Sequence, residues 1–494
     1  MPTGIEAYIQ PRELRRVCEH ALCDVWEGRV DVAMHAFLVE HKVNYTSVDP
    51  VRIGIVDESD APVIIWVRVE PGSLSSERGI EVAVGLRAFL LEYGIEDVHV
   101  EIRESVVTSL AKLYRPALSS NTIVQVREPF STTLGITICA EQTPHIQGTA
   151  TFFFTVGSKP GKLFLLAAKH VLFRVDEENE FYKYHKNRPR RNVLLLGTNG
   201  FEASVKDIEK EIGGTRIVID HLKERLALAD NMQDPEEAQA EREDVRPQLN
   251  KVERAINELE RFLVEAKREW ANSKKRIIGH VVLSPPLVLS DGNGSFTQDF
   301  AIIEVDTTKI DINDFVGNAI DLGTEIPVET LTAWMYPHPA NLPSFKYPAN
   351  RLLQFHGTLS DDEIRSHNPK NVDKRGDPTI MVLKRGYGSG LTTGCVNNIR
   401  PIFRKAFKTK PEDYSREVAV LPRTSKSGAF SKDGDSGAAV ISGWGAVAGM
   451  LTGGAGISEA TDITYVTPIA FLLERLEALG FPANIFPVAA DVVF

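Results

Sequence analysis

Gly434-Asp435-Ser436-Gly437 runs directly into Ala438-Ala439-Val440-Ile441, a glycine-flanked turn feeding an apolar strand. Glycine reaches positive φ without steric cost. Two of them around a serine therefore permit a turn tight enough to expose the hydroxyl and aim backbone N–H groups at one point. Alone, such a turn is commonplace, and its meaning depends on what lies upstream. His170 follows the apolar run Leu163–Ala168 by two residues and precedes Val171-Leu172-Phe173, while Asp299 opens the strand-like Phe300-Ala301-Ile302-Ile303. Acyl transfer at neutral pH needs a hydroxyl beside an imidazole and a carboxylate to fix the imidazole's tautomer. It also needs N–H donors for the oxyanion. The chain order His, Asp, Ser is one of three in which that geometry is known.

The three stretches together resemble peptidases of the chymotrypsin fold. Leu165-Leu166-Ala167-Ala168-Lys169-His170-Val171 is similar to the histidine motif of that family, Asp299-Phe300-Ala301-Ile302 to its aspartate motif and Gly434–Gly437 to its serine motif. Gly388-Ser389-Gly390-Leu391-Thr392-Thr393-Gly394 resembles the strand pair that opens the second barrel in disulfide-free members. The resemblance covers about Thr132–Leu479. It implies a mainly β, double-barrel serine endopeptidase acting on a protein or peptide, with no cofactor and no metal. Ser436 would be nucleophile, His170 base and Asp299 orienter, with the N–H groups of Gly434 and Ser436 as oxyanion hole. The specificity pocket would draw on Phe430, Ser431, Leu451, Thr452 and Gly453. No acid occupies the expected floor, and Leu451 falls where glutamate-specific relatives have a histidine. A neutral, apolar residue on the acyl side is therefore expected.

Two features depart from the pattern. Lys169 stands before the histidine in place of a small residue, and Ala438 replaces a frequent second glycine after the serine. No amino terminus is seen to be freed just before the barrel, which leaves Asp435 without an obvious ion-pair partner of the zymogen type. An interaction scaffold that keeps the fold without cleaving stays open as the alternative.

The separation of His170 and Asp299, 129 residues, is long for one barrel. A helical block at about 203–271 accounts for it, since removing its 69 residues leaves 60. In its second half Val245, Leu249, Val252, Ile256, Leu259 and Leu263 recur at helical spacing among charged residues. Ile208, Ile212, Ile219, Leu222 and Leu226 do so in the first half, with the turn near Pro235. This reads as an antiparallel coiled-coil hairpin, either a solvated decoration or an arm for partner or self-association.

The expected domains are an α+β unit over 1–125, a first barrel over 126–320 carrying the hairpin, and a second barrel over 321–494 ending in a helix. In the first unit Arg12–Trp26 and Arg29–Val43 read as helices and Val51–Val56 and Val63–Val69 as strands. Ser75 or Ser76 caps a further helix that Gly94 stops. Later, Leu331–Met335 reads as a strand, and Thr467 as the cap of a helix with Pro468 at its first position.

With 56 basic and 67 acidic residues the net charge is −11, which disfavours nucleic acid or an anionic membrane as partner. Cys18, Cys23, Cys139 and Cys395 match no zinc spacing and no disulfide framework, and in the first unit His20, His35, His41 and His99 have no ligand spacing. No apolar run reaches about 18 residues, and no apolar leader follows Met1. The expected compartment is the cytosol. Gly386, Gly388 and Gly390 mimic a phosphate-cradling loop, but a strand pattern follows and no Lys-Ser/Thr closes it, so a hairpin turn is expected.

Overall fold

The computed structural model describes residues 12–55, 61–69, 72–104, 111–174, 176–291, 296–338, 345–373, 375–404, 414–455 and 462–493. The chain divides into two compact units, Met1–Ser109 and Leu110–Phe494.

The first unit is a four-stranded sheet in the order Arg12–Arg15, Tyr45–Ile55, Val63–Val69, His99–Glu104, with the last pair parallel. Val63, Ile65, Val67 and Val69 alternate onto a core shared with Met34, Leu38, Val82, Leu86 and Leu90 of the helices Asp31–Glu40 and Ser76–Glu92. Ser75 caps the second helix by accepting from the Arg78 N–H, and Gly94 ends it at φ +75°. Of the helix expected over Arg12–Trp26 only the short turn Leu22–Val25 forms. Arg12–Arg15 is an edge strand paired with Arg52–Ile55, and Gly28, at φ +76°, breaks helical continuity before Asp31. Four charge-rich residues hold no periodicity that separates strand from helix.

The second unit is mainly β and contains two closed six-stranded barrels in the chymotrypsin-like double-barrel arrangement. In the first, Thr137–Ala140 pairs with Gly148–Val156, which pairs with Phe164–Ala167; Asn192–Leu195, Ile277–Ser284 and Ala301–Val305 complete the ring back to Phe164–Ala167. In the second, Met381–Gly386, Gly390–Val396, Val418–Pro422, Ile463–Pro468, Ala446–Ala455 and Ala439–Ser442 pair in that cyclic order. Closure removes exposed sheet edges that could otherwise pair with another chain. Leu331–Met335, expected as a strand, lies in the helix Val328–Met335 that starts after Pro327. A short apolar run does not tell the two apart. The C-terminal helix is Ile469–Ala478, one residue later than expected. The Thr467 hydroxyl donates instead to Glu417 Oε2, 3.2 Å away.

The helical block forms two helices, Thr198–Asp230 and Pro235–Trp270, inserted between the strands Asn192–Leu195 and Ile277–Ser284. Arg225–Glu241 at 2.7 Å near the turn and Lys267–Glu209 at 2.7 Å near the base show that they run antiparallel. The base belongs to the barrel. Ile208, Ile212, Leu259, Phe262, Ala266 and Trp270 join the core of the first barrel, where the fully buried Trp270 meets Phe130 edge-on with ring centroids 5.0 Å apart. Fully burying an apolar side chain contributes about 1.5–3 kcal/mol, and several such residues fix the hairpin's root.

Candidate active site

His170 sits in the single helical turn Lys169–Leu172, directly after the strand Phe164–Ala167. Asp299 lies two residues before the neighbouring strand Ala301–Val305, whose Ala301 pairs with Ala167. Antiparallel pairing thus puts the end of one strand beside the start of the other. Three hydrogen bonds follow. His170 Nδ1 lies 2.6 Å from Asp299 Oδ2, the His170 N–H donates to Asp299 Oδ1 at 3.1 Å, and the Lys169 N–H donates to Asp299 O at 3.3 Å. The Asp299 side chain is fully buried and that of His170 is 18% exposed. An ionised carboxylate only accepts, so the imidazole proton belongs on Nδ1.

Ser436 lies in the turn before Ala439–Ser442 and is half-buried. Thr149, at the start of the strand Gly148–Val156, draws that turn onto the first barrel. Its N–H donates to Ser436 O at 2.8 Å, and its hydroxyl donates to Gly434 O at 3.0 Å while accepting from the Tyr387 N–H at 3.0 Å. Glycine is required at two contacts. A Cβ on Gly437, at φ +94°, would come within 2.0 Å of Thr149 O. A Cβ on Gly148 would lie 2.4 Å from Val171 Cγ2 and 3.0 Å from Ser436 O. The neighbour of His170 and the backbone of Ser436 therefore flank one small volume.

Within the turn, the N–H groups of Asp435, Gly437 and Ala438 donate to Lys432 O, Leu451 O and Asp435 O. Those of Gly434 and Ser436 have no acceptor among the described residues. Gly434 adopts φ +93°, a left-handed conformation that suits glycine. The turn is anchored by Asp435, which is fully buried against the Lys384 ammonium at 2.8 Å. The sequence offered Asp435 no partner of the zymogen type, and its partner is instead an internal lysine 51 residues upstream.

The expected pocket residues divide. Phe430 and Leu451 pack in the apolar core of the second barrel. Ser431 Oγ lies 2.6 Å from Thr464 Oγ1, and Gly453 backs onto Phe403, whose ring is 4.4 Å from that of Tyr465. Thr452 is buried, with its hydroxyl donating to Tyr465 O at 3.3 Å. Sequence reasoning missed Glu417. Its Oε1 accepts from the Thr297 N–H at 2.8 Å, two residues before Asp299, and its Oε2 accepts from Thr467. Burial raises its carboxyl above the usual range, and the hydrogen bonds from Thr297 oppose that.

Lys169 does not point its charge at a solvent-filled cleft. Its ammonium donates to Pro285 O at 2.8 Å and Glu180 O at 3.0 Å, tying two loops beneath the histidine. Burial lowers its pKa to about 8 against the opposing pull of Asp299 and Glu177. No cluster of His, Cys, Asp and Glu suited to a metal occurs among the described residues. No described helix is long and apolar enough to cross a membrane.

No family model matches this sequence, and no curated protein matches it. Among solved structures it is similar to a glutamic acid specific serine protease described as using a histidine triad in substrate binding. That match has 12% identity and a TM-score of 0.31, covering 70% of this chain and 97% of the other. It is also similar to Thermobifida fusca Protease A, at 10% identity and TM-score 0.30, over 70% and 96%. A protease of M. tuberculosis in its active form matches at 11% identity and TM-score 0.26, over 79% and 99%. These likenesses are distant, and the double barrel stands on its own strand pairings.

Proposed function

We propose that this chain is a serine endopeptidase, with Ser436 as nucleophile, His170 as general base and Asp299 as its orienter. The observation that carries the reading is the His170–Asp299 hydrogen bond at 2.6 Å, made beside the strand ends onto which Thr149 docks the Ser436 turn. With Nδ1–H committed to Asp299, the basic lone pair is on Nε2. That atom takes the Ser436 proton as Oγ attacks the substrate carbonyl, then passes it to the leaving amine. The resulting acyl-serine is hydrolysed by water activated at the same imidazole.

The N–H groups of Gly434 and Ser436 receive the oxyanion, and losing one such donor typically costs about 2.7–4 kcal/mol of transition-state stabilisation. For the acyl side we keep a neutral side chain as the proposal, with the Ser431 and Thr464 hydroxyls paired to each other at 2.6 Å. The test is cleavage of a diverse peptide library by the full chain, read by mass spectrometry. The expected result is cuts after neutral residues that Ser436→Ala loses. Equal cutting by Ser436→Ala sinks the peptidase reading, and folded protein that cuts nothing favours the scaffold alternative.

A further inference from the structure

The carboxylate beside the proposed nucleophile is saturated from within. Asp435 Oδ1 accepts from the N–H groups of Gly388 and Ser389 at 2.8 and 3.1 Å. Oδ2 accepts from Lys384 Nζ at 2.8 Å, Ser389 Oγ at 2.6 Å and the Lys432 N–H at 2.8 Å. A carboxylate offers about four lone-pair sites, so five donors leave no room for another amine. The ammonium is equally complete, since its three N–H groups meet Asp435 Oδ2, Ser389 Oγ and Gly390 O.

Both side chains are fully buried. A buried charge is tolerated only when paired and hydrogen-bonded, so each ion depends on the other. The backbone is shaped around the pair, because a Cβ on Gly386 would lie 2.4 Å from Asp435 Oδ1. The glycine-rich hairpin that mimics a phosphate loop thus cradles an anion of its own chain.

Asp435 lies between Gly434 and Ser436, whose N–H groups are the oxyanion donors of the peptidase reading. Fixing its carboxylate fixes the peptide planes on either side. We propose that Lys384 is a positioning residue that holds the oxyanion turn in its anion-binding conformation from inside the second barrel. The site is then formed when the chain folds, and it waits for no amino group released by cleavage elsewhere. This inference rests on the peptidase reading.

The experiment follows covalent labelling of the intact full chain by a fluorophosphonate, with intact mass recorded before and after. Uncleaved wild type labels, and an acetylated amino terminus leaves its rate unchanged. Lys384→Met keeps the wild-type circular dichroism but labels at least ~100-fold more slowly, the loss expected when oxyanion donors are misplaced. In Lys384→Ala, added ethylammonium restores part of the rate.

Should Lys384→Met fail to fold, Lys384→Met with Asp435→Asn removes both charges and carries the same expectation of slow labelling. Three results overturn the inference while leaving the peptidase reading intact: labelling of wild type only after cleavage, a folded charge-free variant labelled within twofold of wild type, or no amine rescue. Wild type that stays unlabelled even after limited proteolysis removes the peptidase reading and this inference together.

Discussion

Asp299 and Asp435 are the same residue in the same degree of burial, and they are treated in opposite ways. Asp299 faces an imidazole that is partly open to solvent. Asp435 faces an ammonium that is fully buried and has no donor to spare. In the proposed reaction one carboxylate supports a partner that changes charge, and the other supports a partner whose charge stays fixed and holds the backbone next to the serine. On that proposal the two barrels divide the work, with proton movement at the strand ends of the first and a static anion-binding turn in the second.

The largest expected effect is on the mobile side. Asp299→Asn should lower kcat by about 10⁴ through loss of the right imidazole tautomer, while the melting temperature stays near wild type because the neutral amide strands no buried charge. A loss below tenfold in steady-state kinetics would break the comparison on that side. Asp435→Asn should do the reverse in kind, leaving the Lys384 ammonium buried without its counter-ion. Breaking such a pair typically costs about 3–5 kcal/mol, read as a lower urea midpoint. A midpoint within error of wild type contradicts the static role.

Lys169 sharpens the boundary between the two regimes, being buried beside His170 yet bonded to neutral carbonyls. Its pKa falls from 10.5 in the unfolded chain to about 8 when folded. Between those values the unfolded chain holds a proton that the folded one has released. Lys169 therefore contributes a rise in stability as pH increases, with a slope of at most about 1.4 kcal/mol per pH unit. Urea midpoints at pH 8 and pH 10 should rise more in wild type than in Lys169→Met. Parallel behaviour of the two proteins means that Lys169 does not titrate in that window.

Much of the double barrel was legible because its strands are short apolar runs bounded by turns, and the residues of the site lie in contiguous local patterns. The hairpin was legible from a stripe sustained over many turns. What escaped depends on distant pairing. Lys384 in a strand reads as a solvent-facing residue until Asp435 is placed against it. Thr149 is one of many threonines in β segments, and its role emerges only when Gly434 and Ser436, over 280 residues away, fold onto it. Glu417 reads as a surface acid but is buried between Thr297 and Thr467. In the first unit the edge strand Arg12–Arg15 exists through its ladder with Tyr45–Ile55, not through its own side chains.

The most direct test of the central assignment is the mass gained by the full chain on exposure to a fluorophosphonate, mapped by fragmentation. One phosphonyl group on Ser436, absent from Ser436→Ala and slowed in His170→Ala, is the predicted result. Folded wild type that gains no more mass than Ser436→Ala, or carries the group on another residue, contradicts it.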